Sequence, residues 1–122
     1  IESNLPTKIS FDEYDILTET KNISMNGAYC YVDKPIEIMT KLNLIILVPM
    51  KKNSSKTIKK ITCEGVAVRK DYIRTNGHHY YYVAIYFSNI SDKDRKTLTS
   101  FINASIEEEQ EELAPPSKES IN

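Results

Sequence analysis

Between an Asn76-Gly77 pair and Ser88 the chain reads HHYYYVAIYF. Tyr81, Val83, Ile85 and Phe87 recur with a period of two, the pattern of a half-buried β-strand. Asn-Gly is the turn pair that a tight hairpin favours, so this strand should fold back on the one before it. The same signature appears five times upstream. Thr7–Phe11, Tyr14–Ile23, Ala28–Val32, Leu42–Val48 and a longer strand within Thr57–Lys70 complete six, with Pro49 closing the fourth. Six short strands separated by polar turns imply a mainly β protein, a barrel or sandwich. The fifth strand changes phase. Ile61 and Cys63 are odd, Val66 and Val68 even, and the switch falls at Gly65, where a bulge is expected.

A single helix closes the chain. Ser91-Asp92-Lys93-Asp94 fits the S-x-x-[DE] start signal. Leu98, Phe101, Ile102 and Ile106 make one apolar stripe that should pack on the sheet. Glutamates at 107–109 and 111–112 sit where the helix dipole disfavours negative charge, and Pro115-Pro116 cannot continue a helix. Fraying is expected through the glutamate run, with a disordered tail or linker from about Ala114. The domain is therefore placed at residues 1–106, with the helix starting near 91, and residues 107–122 form an acidic helix end and tail.

The 122 residues suit one domain, and 40% apolar content suffices for a modest core. The net charge of −1 hides an asymmetry. Residues 107–122 hold six acids against one base, a net −5. Residues 1–106 hold fifteen bases against eleven acids, a net +4. No apolar run approaches the ~18 residues of a membrane span. No signal peptide is visible, and a chain that opens on Ile rather than Met reads as part of a longer protein. Cys30 and Cys63 make no disulfide framework and read as buried thiols. With no export signal, a cytoplasmic setting is favoured.

Little points to an enzyme. His78 and His79 are adjacent, so on a strand they face opposite ways and chelate one metal poorly. Gly27, Gly65 and Gly77 are isolated and build no phosphate loop. The acids suggest no paired-carboxylate centre. Residues 51–74 carry eight bases against Glu64 and Asp71. They read either as a solvated hairpin whose lysines blunt strand edges or as a flank that attracts an anionic ligand or nucleic acid. Tyr80, Tyr81 and Tyr82 alternate faces, so they are not expected to form one stacking platform.

The stretch Asn22-Ile23-Ser24-Met25-Asn26-Gly27-Ala28-Tyr29 resembles the [D/N]-x-S-x-x-G signature of the PilZ domain family. Gly65-Val66-Ala67-Val68-Arg69 resembles the family's G-x-V-x-R strand. Ser91, Arg95, Leu98, Phe101 and Ile102 match its helix start. The resemblance spans roughly residues 5–106. It implies a six-stranded antiparallel β-barrel with a C-terminal α-helix. It also implies a non-enzymatic bacterial domain that binds cyclic di-GMP and relays the signal to a protein partner or attached domain. DNA binding and a cofactor are not expected.

By that resemblance Asn22, Ser24, Asn26, Gly27 and Arg69 form the ligand site. The Asn22 amide and Ser24 hydroxyl would meet a guanine. Gly27 would permit a tight turn or close ligand approach, and Asn26 tolerates left-handed backbone. Asn22 stands where many members carry Asp, which removes a charge-assisted bond to guanine. The same side chains also suit turn backbone groups. Messenger-binding members usually carry R-x-x-x-R before the first strand, yet no arginine precedes Arg69. That motif either lies upstream of Ile1 or is missing, the latter making a degenerate PilZ-like interaction module.

Overall fold

The computed structural model describes residues 1–113. Six strands, β1 (Pro6–Phe11), β2 (Tyr14–Ile23), β3 (Gly27–Val32), β4 (Lys41–Lys52), β5 (Ser55–Thr75) and β6 (His78–Ile90), precede α1 (Asp92–Leu113). They close into an antiparallel ring in the order β1-β2-β3-β6-β5-β4, with β4 returning to β1. Closure satisfies edges that an open sheet would expose. The expected mainly β, six-stranded barrel with a C-terminal helix is the fold adopted. Two tight turns set the longest hairpins. Asn53 and Ser54 (φ 53° and 71°) join β4 to β5, and Asn76 and Gly77 (φ 51° and 78°) join β5 to β6. Two successive positive φ values match the twist of a right-handed hairpin.

Alternation sends every second side chain inward. Ile16, Ile9, Leu44 and Cys63 are register partners in succession across β2, β1, β4 and β5, and all four are buried. They form an apolar belt around half the ring. Ile36, from the loop between β3 and β4, is also fully buried. Both cysteines are free thiols inside the barrel, and burial pushes both up to about 12. Native protein at pH 8 should therefore resist a thiol-specific disulfide reagent, and both cysteines should react once denaturant opens the barrel.

Three local expectations are corrected. First, β5 keeps its odd residues inward beyond Gly65: Gly65 and Ala67 are buried, whereas Val68 is exposed. A Cβ at Gly65 would lie 2.6 Å from Ile85 Cγ2 and 3.2 Å from Leu44 Cδ1. The interior is narrow there, so small residues face in and the valines face out. The register slips at Glu64/Gly65, where β6 carries the extra residue, and again at Val68, between Ala67 and Arg69. Second, Pro49 does not end β4, which runs to Lys52 opposite Ser55. β1 pairs only with Asn43–Ile46, so Pro49 lies on a two-stranded stretch where its missing N–H is tolerated. Third, Ile106 is 37% exposed, and the buried helix stripe ends at Ile102.

Helix α1 starts as its sequence signal requires. Ser91 Oγ accepts from Asp94 N at 3.1 Å, and Asp94 Oδ2 accepts from Thr62 N at 3.2 Å, which ties the first turn to β5. The helix continues through the glutamate run to Leu113. The tail expected from Ala114 lies outside the described residues. Among the described residues no helix is long and apolar enough to cross a membrane.

Candidate ligand-binding site

The outer face of the ring brings four residues into one row. Asn22 on β2 pairs with Tyr29 on β3, Tyr29 with Ala84 on β6, and Ala84 with Arg69 on β5. Ala84 is the small member, so the row dips in its middle. An open cavity of about 430 Å³ lies there, lined by Ile1, Asn22, Ile23, Ser24, Gly27, Ala28, Tyr29, Arg69, Ala84 and Ile85. This is a volume typical of small-ligand sites. The approach to β1 is stitched beside β2: Ile23 N donates to Ile1 O at 2.9 Å and Ser3 N to Lys21 O at 3.1 Å. That pairing places Ile1 at the cavity wall.

The turn between β2 and β3 holds itself together. Ser24 N donates to Gly27 O at 2.9 Å, and Ser24 Oγ accepts from Asn26 N at 3.3 Å. Asn26 O accepts from Phe87 N at 2.8 Å, which pins the turn to β6. Neither Asn26 nor Gly27 has a positive φ, so no left-handed backbone explains them. What Gly27 permits is close approach of the protein's own backbone: a Cβ there would lie 2.2 Å from Ile85 O. Asn26 is exposed and lies outside the cavity lining. Asn22, Ser24, Gly27 and Arg69 share the cavity, although Arg69 comes from a strand more than forty residues later.

Two residues outside the six-residue motif belong to this region: Tyr29, which lines the cavity, and Asp71, which stands beside Arg69 just outside the lining. Tyr29 Oη donates to Asp71 Oδ2 at 2.5 Å, and Arg69 Nε donates to the same oxygen at 3.2 Å. The Arg69 guanidinium lies 5.4 Å from the Tyr29 ring centre. Burial first, and then the bond to Asp71, raises the Tyr29 phenol above its ordinary range. That bond and Arg69 hold the Asp71 carboxyl below its own. Both residues carried a sequence signal. Tyr29 closes the quoted signature stretch, and Asp71 lies two residues after Arg69, hence on its face.

Tyr29 also begins an aromatic cluster. Tyr29 and Tyr82 stack at 5.0 Å, Tyr31 and Tyr80 lie 4.7 Å apart, and Lys21 Nζ sits 4.5 Å from the Tyr82 ring centre. Tyr80 and Tyr82 do share a platform, with partners from β3 rather than with Tyr81. Charge around the site is divided. Lys21 and Arg69 stand on one side, while Glu108 and Glu109 of α1 line an adjacent cavity with Ile1 and Asn22.

The PilZ domain model matches residues 1–104. The chain belongs to the PilZ domain family. That family is one of cyclic di-GMP receptor domains. Among solved structures, this PilZ domain is similar to the Bacillus subtilis inhibitor of motility (MotI/DgrA). The two share 21% identity and a TM-score of 0.71 over 88% of this chain and 49% of that one. It is also similar to MrkH of K. pneumonia in its apo state, with 17% identity and a TM-score of 0.60 over 88% of this chain and 50% of that one. At such identities the likeness is one of fold. The PilZ domain spans about half the length of either solved protein. No curated protein matches it.

Proposed function

We propose that this PilZ domain binds cyclic di-GMP in the cavity over Ala84 and passes the occupied state to a protein partner or attached domain. The observation that carries this reading is the row Asn22–Tyr29–Ala84–Arg69. It sets the signature's amide and a guanidinium at opposite ends of one depression. The arginine suits a phosphate or a guanine face, and the amide and the Ser24 hydroxyl suit a base edge. Ile1 stands at the same wall, so any residues preceding it would be delivered to the ligand. One set of observations favours the second reading, a PilZ-like interaction module without nucleotide. Glu2, Glu108 and Glu109 stand beside Asn22, a negative flank that disfavours a phosphate.

Calorimetric titration separates the two, using this chain and, where the natural protein continues upstream of Ile1, a form that carries those residues. Saturable binding of cyclic di-GMP is expected. Arg69→Ala, or Asn22→Ala with Ser24→Ala, should weaken it roughly tenfold to hundredfold, the scale of a lost bond to a charged ligand. Ala84→Leu should block it by filling the floor. No heat from either form at high ligand concentration would leave only the interaction module.

A further inference from the structure

Next to the cavity's β5 wall, bonded to two of its lining residues but outside the lining itself, stands a carboxylate that the family signature does not supply. Arg69 and Asp71 project from β5 on the same outward face, and Tyr29 reaches them from β3 across β6. Tyr29 and Arg69 both line the cavity, and both donate to one oxygen of Asp71, Oδ2. A carboxylate offers about four acceptor positions on its two oxygens. Acceptor capacity therefore remains on Oδ1, and the Asp71 side chain is 43% exposed. Its orientation is fixed from two sides. Tyr29 is held by its stack on Tyr82, and Tyr82 is the register partner of Asp71. An acceptor held this way is arranged before any ligand arrives.

Resting on the cyclic di-GMP reading, we propose that Asp71 is the residue that selects guanine, its carboxylate accepting from the N1–H and N2 amine on the base's Watson–Crick edge. Asn22, neutral at the signature's first position, cannot provide that charge-assisted acceptor; Asp71 provides it from β5, two residues beyond the Arg69 end of the row. Adenine presents an N1 lone pair where guanine presents N1–H, so the same carboxylate repels it. Hypoxanthine keeps N1–H and lacks only the N2 amine. Arg69 uses Nε on Asp71 and keeps its remaining N–H groups to meet a phosphate. Glu2, which pairs with Asn22, and Glu108 and Glu109 are the competing carboxylates. All three stand on the Ile1 side, Glu2 from the approach to β1 and the other two from α1.

The test is a calorimetric comparison of cyclic di-GMP, its hypoxanthine analogue cyclic di-IMP, and cyclic di-AMP. It uses the chain with whatever natural upstream residues allow binding. The unsubstituted domain should prefer cyclic di-GMP to cyclic di-IMP by roughly tenfold and bind cyclic di-AMP least. Asp71→Ala should weaken cyclic di-GMP roughly tenfold or more and bring the two ligands to similar affinity. Tyr29→Phe, which removes one of the bonds orienting Asp71, should shrink the preference in the same direction. Glu108→Gln should leave it intact. Equal weakening of both ligands by Asp71→Ala would mean that Asp71 only positions Arg69, and would overturn the proposal. Loss of the preference in Glu108→Gln instead would also overturn it. Failure of the unsubstituted domain to bind any of the three would overturn the cyclic di-GMP reading as well, so the two failures are distinct.

Discussion

Gly27→Ala should lower the midpoint of chemical unfolding by the equivalent of roughly 3 kcal/mol, the upper end of the overpacking range. The added methyl would lie 2.2 Å from Ile85 O, 3.3 Å from Ile85 C and 3.5 Å from Tyr86 Cα. All three are backbone atoms of β6, so no side-chain rotation relieves the clash and β3 must part from β6. The harm should reach the ligand, because Gly27 and Ile85 both line the cavity. Gly77→Ala is the control. It meets nothing within 4 Å but must adopt φ 78°, a strain of about 1 kcal/mol that leaves the site untouched. Equal midpoints for the two variants would show that the approach of β3 to β6 is not what requires Gly27.

Leu44→Ala should cost about 2–5 kcal/mol, the range for a buried leucine truncated in a packed core. Leu44 is 1% exposed, sits in the belt between Ile9 and Cys63, and would be 3.2 Å from a Cβ at Gly65. Its neighbours are held by strand register and cannot close over the hole. Against a total stability of about 5–15 kcal/mol this is a large fraction. Denaturant titration should show the midpoint falling with an unchanged slope. Leu47→Ala, outward and 36% exposed, should move it by less than about 0.5 kcal/mol. A Leu44→Ala midpoint as high as that of Leu47→Ala would refute the account of the belt.

What the amino-acid sequence made legible was local. Period-two alternation in β6 located its inward face, Asn76-Gly77 located a turn, and Ser91 located the helix start. The signature at Asn22–Gly27 marked the β2–β3 turn. Interpretation failed where an answer depended on what stood opposite. Val66 and Val68 looked inward because valine is apolar; Gly65 and Ala67 hold those positions because Ile85 and Leu44 leave no more room. Pro49 looked terminal because nothing local said that β1 stops short of it. The alternation of Tyr80, Tyr81 and Tyr82 was legible, and Tyr81 does turn to the core; what stayed hidden is that Tyr80 and Tyr82 meet partners from β3. Ile36 carried no periodic pattern because it plugs the barrel from a loop. Asn22, Tyr29, Ala84 and Arg69 become one row only once three strand registers are known, and Asp71 becomes part of it only through Tyr29.

The ring is unevenly sewn. β4 and β5 pair continuously from Lys41 to Lys52, whereas the backbones of β2 and β3 are in register only at Thr20, Asn22 and Ile23, with Lys21 bulged out between them and the Thr18 hydroxyl donating to Tyr31 O beyond. The site straddles this thin seam, with Asn22 on one lip and Tyr29 on the other. A ligand reaching from Asn22 to Arg69 would act as a clasp across it. Its arrival would then register as slower amide exchange along the lips of the seam, a tightening of the wall rather than a change in its outline.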